Sequence, residues 1–470
     1  MVQSETTLVE PDVLRRVLSE ALKRGGDFAE AFVEDRSATG ITLDDRRVEE
    51  LSSGREKGAG IRVVVGETTG FAHTADLSER GLLAAAEAAA AVARQRGGRA
   101  REVALTATPA APSDVSVLPG SVAKARKVEL LRQADDAARS ASGAIVQVSA
   151  GYGDSRRRIQ VANSDGLLTG DDQVRTRFRV SCVAAGDAGM QTGSESLGRT
   201  IGFELFERAS VEEVAAEAAR RALTKLSARP APSGVVPVVI RRGSGGVLIH
   251  EACGHGLEAD HIVKDSSVYT GRLGELVASP LVTLVDDGSF GDEWGRLAID
   301  DEGRPGRRNV LIDKGVLTDY MWDELRARKA GRPSSGNGRR ESYQHLPMVR
   351  MTNTFLTAGE DDPDDIVAST PHGVFVAHLG GGQVNTATGD FLFGTTEAYL
   401  IENGRITEPL RDANLIGNGP DVLARIDAVG NDFDMGGPGT CGKDGQSVPV
   451  GCGQPTLRVT GITFGGTAGG

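Results

Sequence analysis

The apolar positions of this chain first follow a helical period. In "PDVLRRVLSEALKRGGD", Leu14, Val17, Leu18, Ala21 and Leu22 fall at i, i+3, i+4, i+7 and i+8. That single stripe predicts an amphipathic helix, opened by Pro11 and stopped at Gly25. The pattern then turns to short apolar runs and alternation, as strands require: "FAEAFVE", "GITLDD", "GIRVVVG" and "TGFAHT", with Gly66-Glu67 where a hairpin turn belongs. An alanine-rich helix is expected from near Ser78 to Gly97-Gly98. After a linker-like stretch at 105–120 the order returns. A helix over about Val122–Arg139 leads to strands "AIVQVSAGY", "RRIQVANSDG" and "TRFRVSCVAAG", and the helix "VEEVAAEAARRALTKL" closes the unit.

The chain thus reads as an N-terminal α/β domain over 1–229, made of two related halves at about 1–104 and 121–226. A second linker, "SARPAPSGVVP", spans 227–237. Beyond it strands, turns and Gly-rich loops dominate, with a helix expected around Ile249–Asp260. "GVFVAHLGGGQVN", "GDFLFGTTEAYLIENGRI" and "TLRVTGITFGG" predict successive antiparallel strands. The fold class is α+β, with a mostly antiparallel β domain over 230–470 that carries the candidate chemistry.

A length of 470 residues with 39% apolar content suits two or three globular domains, and 62 glycines fit many turns and close backbone approaches. The net charge of −12 argues against nucleic acid as the main partner and favours a soluble cytoplasmic protein. The opening "MVQSETTLVEPD" lacks the basic-then-apolar order of a signal peptide, and no apolar run nears the ~20 residues of a membrane span. Cys182, Cys253, Cys441 and Cys452 are too few to frame a disulfide-built protein, so a special cysteine is expected to ligate metal or catalyse.

The candidate chemistry sits in "IHEACGHGLEADH", where His250, Glu251, Cys253 and His255 crowd together. Zinc takes about four ligands, in catalytic sites usually three from protein and one water. On a regular helix, positions i and i+5 lie about 140° apart, so His250 and His255 converge only if the helix is kinked, ended or locally π-helical. Gly254 is the residue that permits such a distortion. The motif alone leaves open both a metal site and two histidines placed by chance on a turn. A third ligand must come from elsewhere: Cys441 in "GTCGKDG" and Cys452 in "VGCGQP" are candidates from Gly-rich loops, as are His261, His345, His372 and His378. Cys253, between the two motif histidines, reads as packing.

The segments "SSGREKGAGIRVV", "TGFAHTADLS", "HEACGHGLEAD", "GRRESYQHLPMVRMTNTF" and "GTCGKDGQSVPVGCGQPTLRV" resemble the TldD branch of the TldD/PmbA family, in order and along nearly the full chain. The resemblance implies a zinc-dependent hydrolase of peptide or related amide bonds, with Zn²⁺ held by His250, His255 and Cys441 and with Glu251 as the catalytic base. It implies a dimer around an enclosed cavity, as a homodimer or a heterodimer with a TldE/PmbA-like chain. Cys253 is the one departure from the family pattern. Mechanistically, Glu251 would move the proton of the attacking water, and His345 is the candidate donor to the oxyanion or else pins a loop. Glu258 and Asp260 could orient a ligand histidine. Two other readings are a deacylase acting on a small natural-product intermediate and a non-catalytic, metal-stabilised partner. The presence of Glu251 weighs against the latter.

Overall fold

The computed structural model describes residues 7–93, 102–109, 115–187 and 189–466. The expected helix stop at Gly97-Gly98 and the middle of the 105–120 linker lie outside the described residues. The N-terminal region runs α1 (Pro11–Ala21), β1 (Phe28–Asp44), β2 (Arg47–Val65), β3 (Thr68–Thr74), α2 (Glu79–Ala93), α3 (Lys124–Ser140), β4 (Ile145–Asn163), β5 (Leu167–Gly186), β6 (Gly189–Arg199) and α4 (Val211–Leu226). Pro11 occupies the first turn of α1, whose stripe of Leu14, Val17, Leu18 and Ala21 is buried. Gly66, at φ 53°, opens the turn between β2 and β3.

The strands are longer than the apolar runs indicate. "FAEAFVE" and "GITLDD" are two ends of the 17-residue β1, and "AIVQVSAGY" and "RRIQVANSDG" are joined in the 19-residue β4. The reason lies in the intervening residues. Arg36 to Gly40 are polar or small because that stretch does not face an apolar core, yet its pairing with β2 continues unbroken across Ser37↔Arg55 and Gly40↔Ser52. All six strands join one sheet in the order β3-β2-β1-β4-β5-β6, so the two halves share a single sheet. One face of its β1, β4 and β5 carries Ile41, Leu43, Tyr152, Phe178 and Val180 against α3 and α4.

The second region is built on a small barrel. β7 (Gly234–Ile240), β8 (His372–Val384), β9 (Asp390–Glu402), β10 (Ala413–Asn418) and β13 (Leu457–Gly466) close on themselves through the pairings β8–β7–β13–β10–β9–β8. Its interior holds Val238, Ile240, Val376, Phe393, Leu415 and Phe464, and the same core takes in Leu248, Ile249, Ala252 and Leu257 of the histidine motif. The motif is therefore anchored by its apolar residues. Beside the barrel, a hairpin of β11 (Gly439–Lys443) and β12 (Gln446–Gln454) extends a second sheet, in which Thr354 pairs in parallel with Cys452. Its turn is Asp444-Gly445, both at positive φ (48° and 76°), the conformation that an Asp-Gly pair favours.

The two regions meet through buried charges. Arg62 on β2 bonds Glu30 on β1 and Glu302, each at 2.8 Å, and Arg340 pairs with Glu30 while also donating to the Asp301 carbonyl at 2.9 Å. Arg157 on β4 bonds Glu34 and Asp301 at 2.5 and 2.7 Å. Arg340 and Glu30 are completely buried, so removing one partner strands the other away from water. Arg340→Met is therefore expected to cost ~3–5 kcal/mol of stability. A urea midpoint equal to that of the parent protein would contradict a structural role for this seam.

Candidate metal centre

The residues after β7 form one helical turn over Gly246–Ile249. The chain then widens into a π turn at His250–Gly254, tightens into a 3-10 turn at His255–Leu257, and resumes one α turn at Ala259–Ile262. The single helix expected over Ile249–Asp260 is thus broken in pitch where the two histidines lie. The His255 N–H donates to the His250 carbonyl, an i→i+5 bond, and this brings residues five apart onto one side. Gly254 contributes differently from the expectation. Its backbone is ordinary right-handed helix (φ −56°, ψ −50°), and its missing side chain instead admits Met351, whose sulfur would lie 2.2 Å from a Cβ there.

The rings of His250 and His255 stand 5.2 Å apart, centroid to centroid, at 81°. Cys441 Sγ lies 3.3 Å from His255 Nε2, and one donor atom from each of the three residues falls within 4.8 Å of the others. All three side chains are buried. Cys441 is not on an exposed loop, as its Gly-rich setting suggests. It sits on β11, where alternation turns Cys441 and Lys443 to the same side. Arg350, fully buried, holds this hairpin from behind by donating to the carbonyls of Cys441 and Gln446.

A second layer fixes the first. Glu258 Oε2 accepts from His255 Nδ1 at 2.9 Å, which leaves Nε2 turned to Cys441. Lys443 Nζ donates to Glu258 at 2.9 Å and to Asp260 at 2.8 Å. The further grouping of Glu258, Asp260 and His261 therefore has the Lys443 ammonium beside it as its cation. Burial works against the charge of Glu258, but His255 and Lys443 outweigh it and hold the carboxyl down at about 2. For Cys441, too, burial is outweighed, by His250 and His255, and the thiol falls to about 4. The His255 imidazole rises to about 9 against its burial, chiefly through Glu258 and then Cys441. His250 is raised well above its usual range, against burial, by Cys452 and Cys441.

These residues fit a metal ion. Both ring nitrogens of His250 are buried without a hydrogen-bond partner, a thiolate is at hand, and a ring nitrogen of His255 faces it. Bonds of ~2.0–2.3 Å place donors on one ion at most ~4.6 Å apart, close to the separation seen. Glu251 lies at the margin: its Oε2 is 3.7 Å from His255 Nε2, and its side chain is 27% exposed. Cys253 faces the apolar core, where burial pushes its thiol up to about 12. Cys452, half-buried on β12, packs against the cluster of Cys441, Val448 and Val450. His345 Nδ1 lies 3.0 Å from Ser342 Oγ, in a loop tied to the N-terminal sheet by Tyr343 N–H on Glu34 and to the hairpin by Gln446 on the Leu346 carbonyl. Lys443 and Arg350 are functional neighbours that no sequence motif singles out. The signal available for Lys443 was the Asp-Gly turn that follows it, which implies a strand with Cys441 and Lys443 on one face.

Profiles of the PmbA/TldA metallopeptidase family match the chain in three consecutive stretches: domain 1 over 29–93, the central domain over 118–226 and the C-terminal domain over 233–466. The chain belongs to this metallopeptidase family. Within it, the sequence sides with TldD. It is 40% identical to a metalloprotease TldD homolog of Haemophilus influenzae over 99% of both chains, and 38% identical to one of Buchnera aphidicola over 96% of this chain and 95% of the other. A metalloprotease of Methanothermobacter thermautotrophicus is 36% identical over 98% of this chain and all of its own. The fold is shared with a Thermotoga maritima protein described as a putative modulator of DNA gyrase (TM-score 0.79, 22% identical, 96% and 99% covered). It is also shared with TldE from Thermococcus kodakarensis (TM-score 0.77, 20% identical, 97% and 100% covered). No helix among the described residues is long and apolar enough to cross a membrane.

A metal ion held by His255 would have to displace the proton that this imidazole keeps up to about pH 9 in the metal-free protein. Apparent metal affinity, measured by chelator competition, is therefore expected to climb with pH through the window from ~6.5 to about 9. A plateau already reached at ~6.5 would mean that the His255 proton is not what the metal displaces.

Proposed function

We propose that the protein is a zinc-dependent peptidase that cleaves short or unfolded peptides. The observation that carries this reading is the buried convergence of His250, His255 and Cys441 beside the partly exposed carboxylate of Glu251. The names of the relatives support a metal-dependent protease. The donor set of two imidazoles and one thiolate suits zinc. When bound there, zinc supplies a Lewis acid that polarises the scissile carbonyl.

The chain's own residues do the rest. His250, His255 and Cys441 would hold the ion. Glu258 keeps His255 in the tautomer that presents Nε2, and Lys443 keeps Glu258 ionised and in place. Glu251, outside the buried set, takes the proton of the attacking water and returns it to the leaving amine. His345 is proposed as a donor to the developing oxyanion, from the loop that rests on the hairpin. The proposed assembly is a dimer, either of two copies or with a TldE-like chain. Four free cysteines and an acidic net charge suit the cytoplasm.

Two substitutions test the roles apart. Glu251→Gln is expected to retain metal while kcat on an unfolded peptide falls ~10²–10⁴-fold. Cys441→Ala is expected to lose both metal and activity. Elemental analysis and kinetics on the same preparations decide. Near-parental turnover by Glu251→Gln removes that residue from the reaction, and a fully loaded Cys441→Ala removes the thiolate from the site.

A further inference from the structure

The second face of the N-terminal sheet is unlike the first. On β1 it shows Arg36, Ala38, Gly40 and Thr42, and the register carries it across Gly40↔Gly153↔Arg177 and Thr42↔Gly151↔Arg179. Small residues thus form a floor from which arginines project. Gly153 has no side chain where one would meet Arg177 Nε at 2.9 Å, so Arg177 lies across the strand, and a side chain at Gly151 would meet nothing within 4 Å. This floor bounds a cavity of about 820 Å³, walled opposite by Trp294, Pro438, and Thr440 and Pro449 of the hairpin that bears Cys441. The groove therefore runs along the outer side of the candidate metal centre.

Its charge is not neutralised from within. Among the described residues the guanidinium groups of Arg36, Arg177 and Arg179 have no hydrogen-bonded or ion-paired partner, and Arg177 and Arg179 are exposed. Of the acidic groups along the groove, Asp154 is paired with Lys127 at 2.7 Å and Glu195 with Arg221 at 2.6 Å. Glu341 accepts from the Ser447 N–H, and Glu50 is the lining carboxylate without a partner among the described residues. Arg175, buried in the floor, donates to the Trp294 and Arg296 carbonyls and to Gln173 rather than to a carboxylate. Three unpaired guanidinium groups converge on one concavity in a chain whose net charge is −12. Guanidinium binds carboxylate in a two-point fashion, and a concave site concentrates its field.

We propose that this groove is a substrate subsite for acidic, extended peptides, whose carboxylates pair with Arg36, Arg177 and Arg179. The identity of the ligand as a peptide rests on the peptidase reading above; the preference for negative charge does not. Open floor, extended walls and proximity to β11 suit a chain lying along the sheet rather than a folded domain.

The test is equilibrium binding to the metal-loaded protein, read by fluorescence anisotropy. The probes are two labelled peptides of equal length, one with aspartate and glutamate at alternate positions and one with asparagine and glutamine in their place. The acidic peptide is expected to bind about tenfold more tightly, and the double variant Arg177→Ser/Arg179→Ser to lose that preference. Arg177→Lys/Arg179→Lys is expected to restore part of it, and added salt to erode it. Thermal melting and metal content of each variant establish that the fold is intact. Equal affinity of the parent protein for both peptides overturns the proposal, as does a serine double variant that keeps the preference. Cleavage of either peptide is followed separately. Charge-selective binding without any cleavage leaves the groove standing and removes the peptidase reading; cleavage without charge selectivity does the reverse.

Discussion

One backbone hydrogen bond governs the geometry of the site. The His255 N–H reaches the carbonyl of His250, five residues back, where an α-helix would reach four back. With the shorter reach, the two imidazoles would lie about 140° apart around the segment and could not meet on one side. With the longer one, both rings turn to the hairpin. A π turn is less stable than an α turn, so it persists where the surroundings fix both ends. Here the apolar residues on one side and Met351 against Gly254 on the other do so.

The hairpin is the second half of the device, and its placement is held from a distance. Arg350 grips its carbonyls from behind, Asn337 binds the Arg350 carbonyl, and the adjoining Arg340 loop is locked by the ion pair of Arg340 with Glu30 on β1 and by Arg157 of β4, which donates to the Arg340 carbonyl. The N-terminal sheet thus supports the candidate site without contributing a ligand. Its own free face, lined with arginines, borders the same hairpin from the opposite side. A single two-stranded element therefore has one side, bearing Cys441 and Lys443, that faces His250 and His255, and a groove-facing side bearing Thr440 and Pro449.

Much of this was legible in the sequence, and the gaps have physical causes. The stripe of α1, the α+β class and the incompatibility of the His250/His255 spacing with a regular helix follow from periodicity alone. The length of β1 and β4 does not, because their middle residues face charge and solvent and carry no apolar alternation. The burial of Cys441 was hidden by its glycines, which suggest a loop; only the Asp444-Gly445 pair betrays the hairpin. The burial of Lys443 and Arg350 was invisible, since a lone basic residue gives no sign that it will be enclosed between carboxylates or carbonyls; the Asp-Gly turn shows only which face of the strand Lys443 shares. Glu258 and Asp260 could be named as orienting groups from their closeness to the motif, but which of them meets His255 is decided by the 3-10 turn after it.

The central claim is that the π turn and the hairpin together form one site of two nitrogens and one sulfur. X-ray absorption at the edge of the bound metal reads that composition directly. For zinc, one sulfur at ~2.3 Å and two imidazole nitrogens at ~2.0–2.1 Å are expected, with the sulfur shell lost in Cys441→Ala. A shell with two sulfurs would bring Cys452 into the site, and one with none would leave Cys441 outside it; either result contradicts a site of His250, His255 and Cys441.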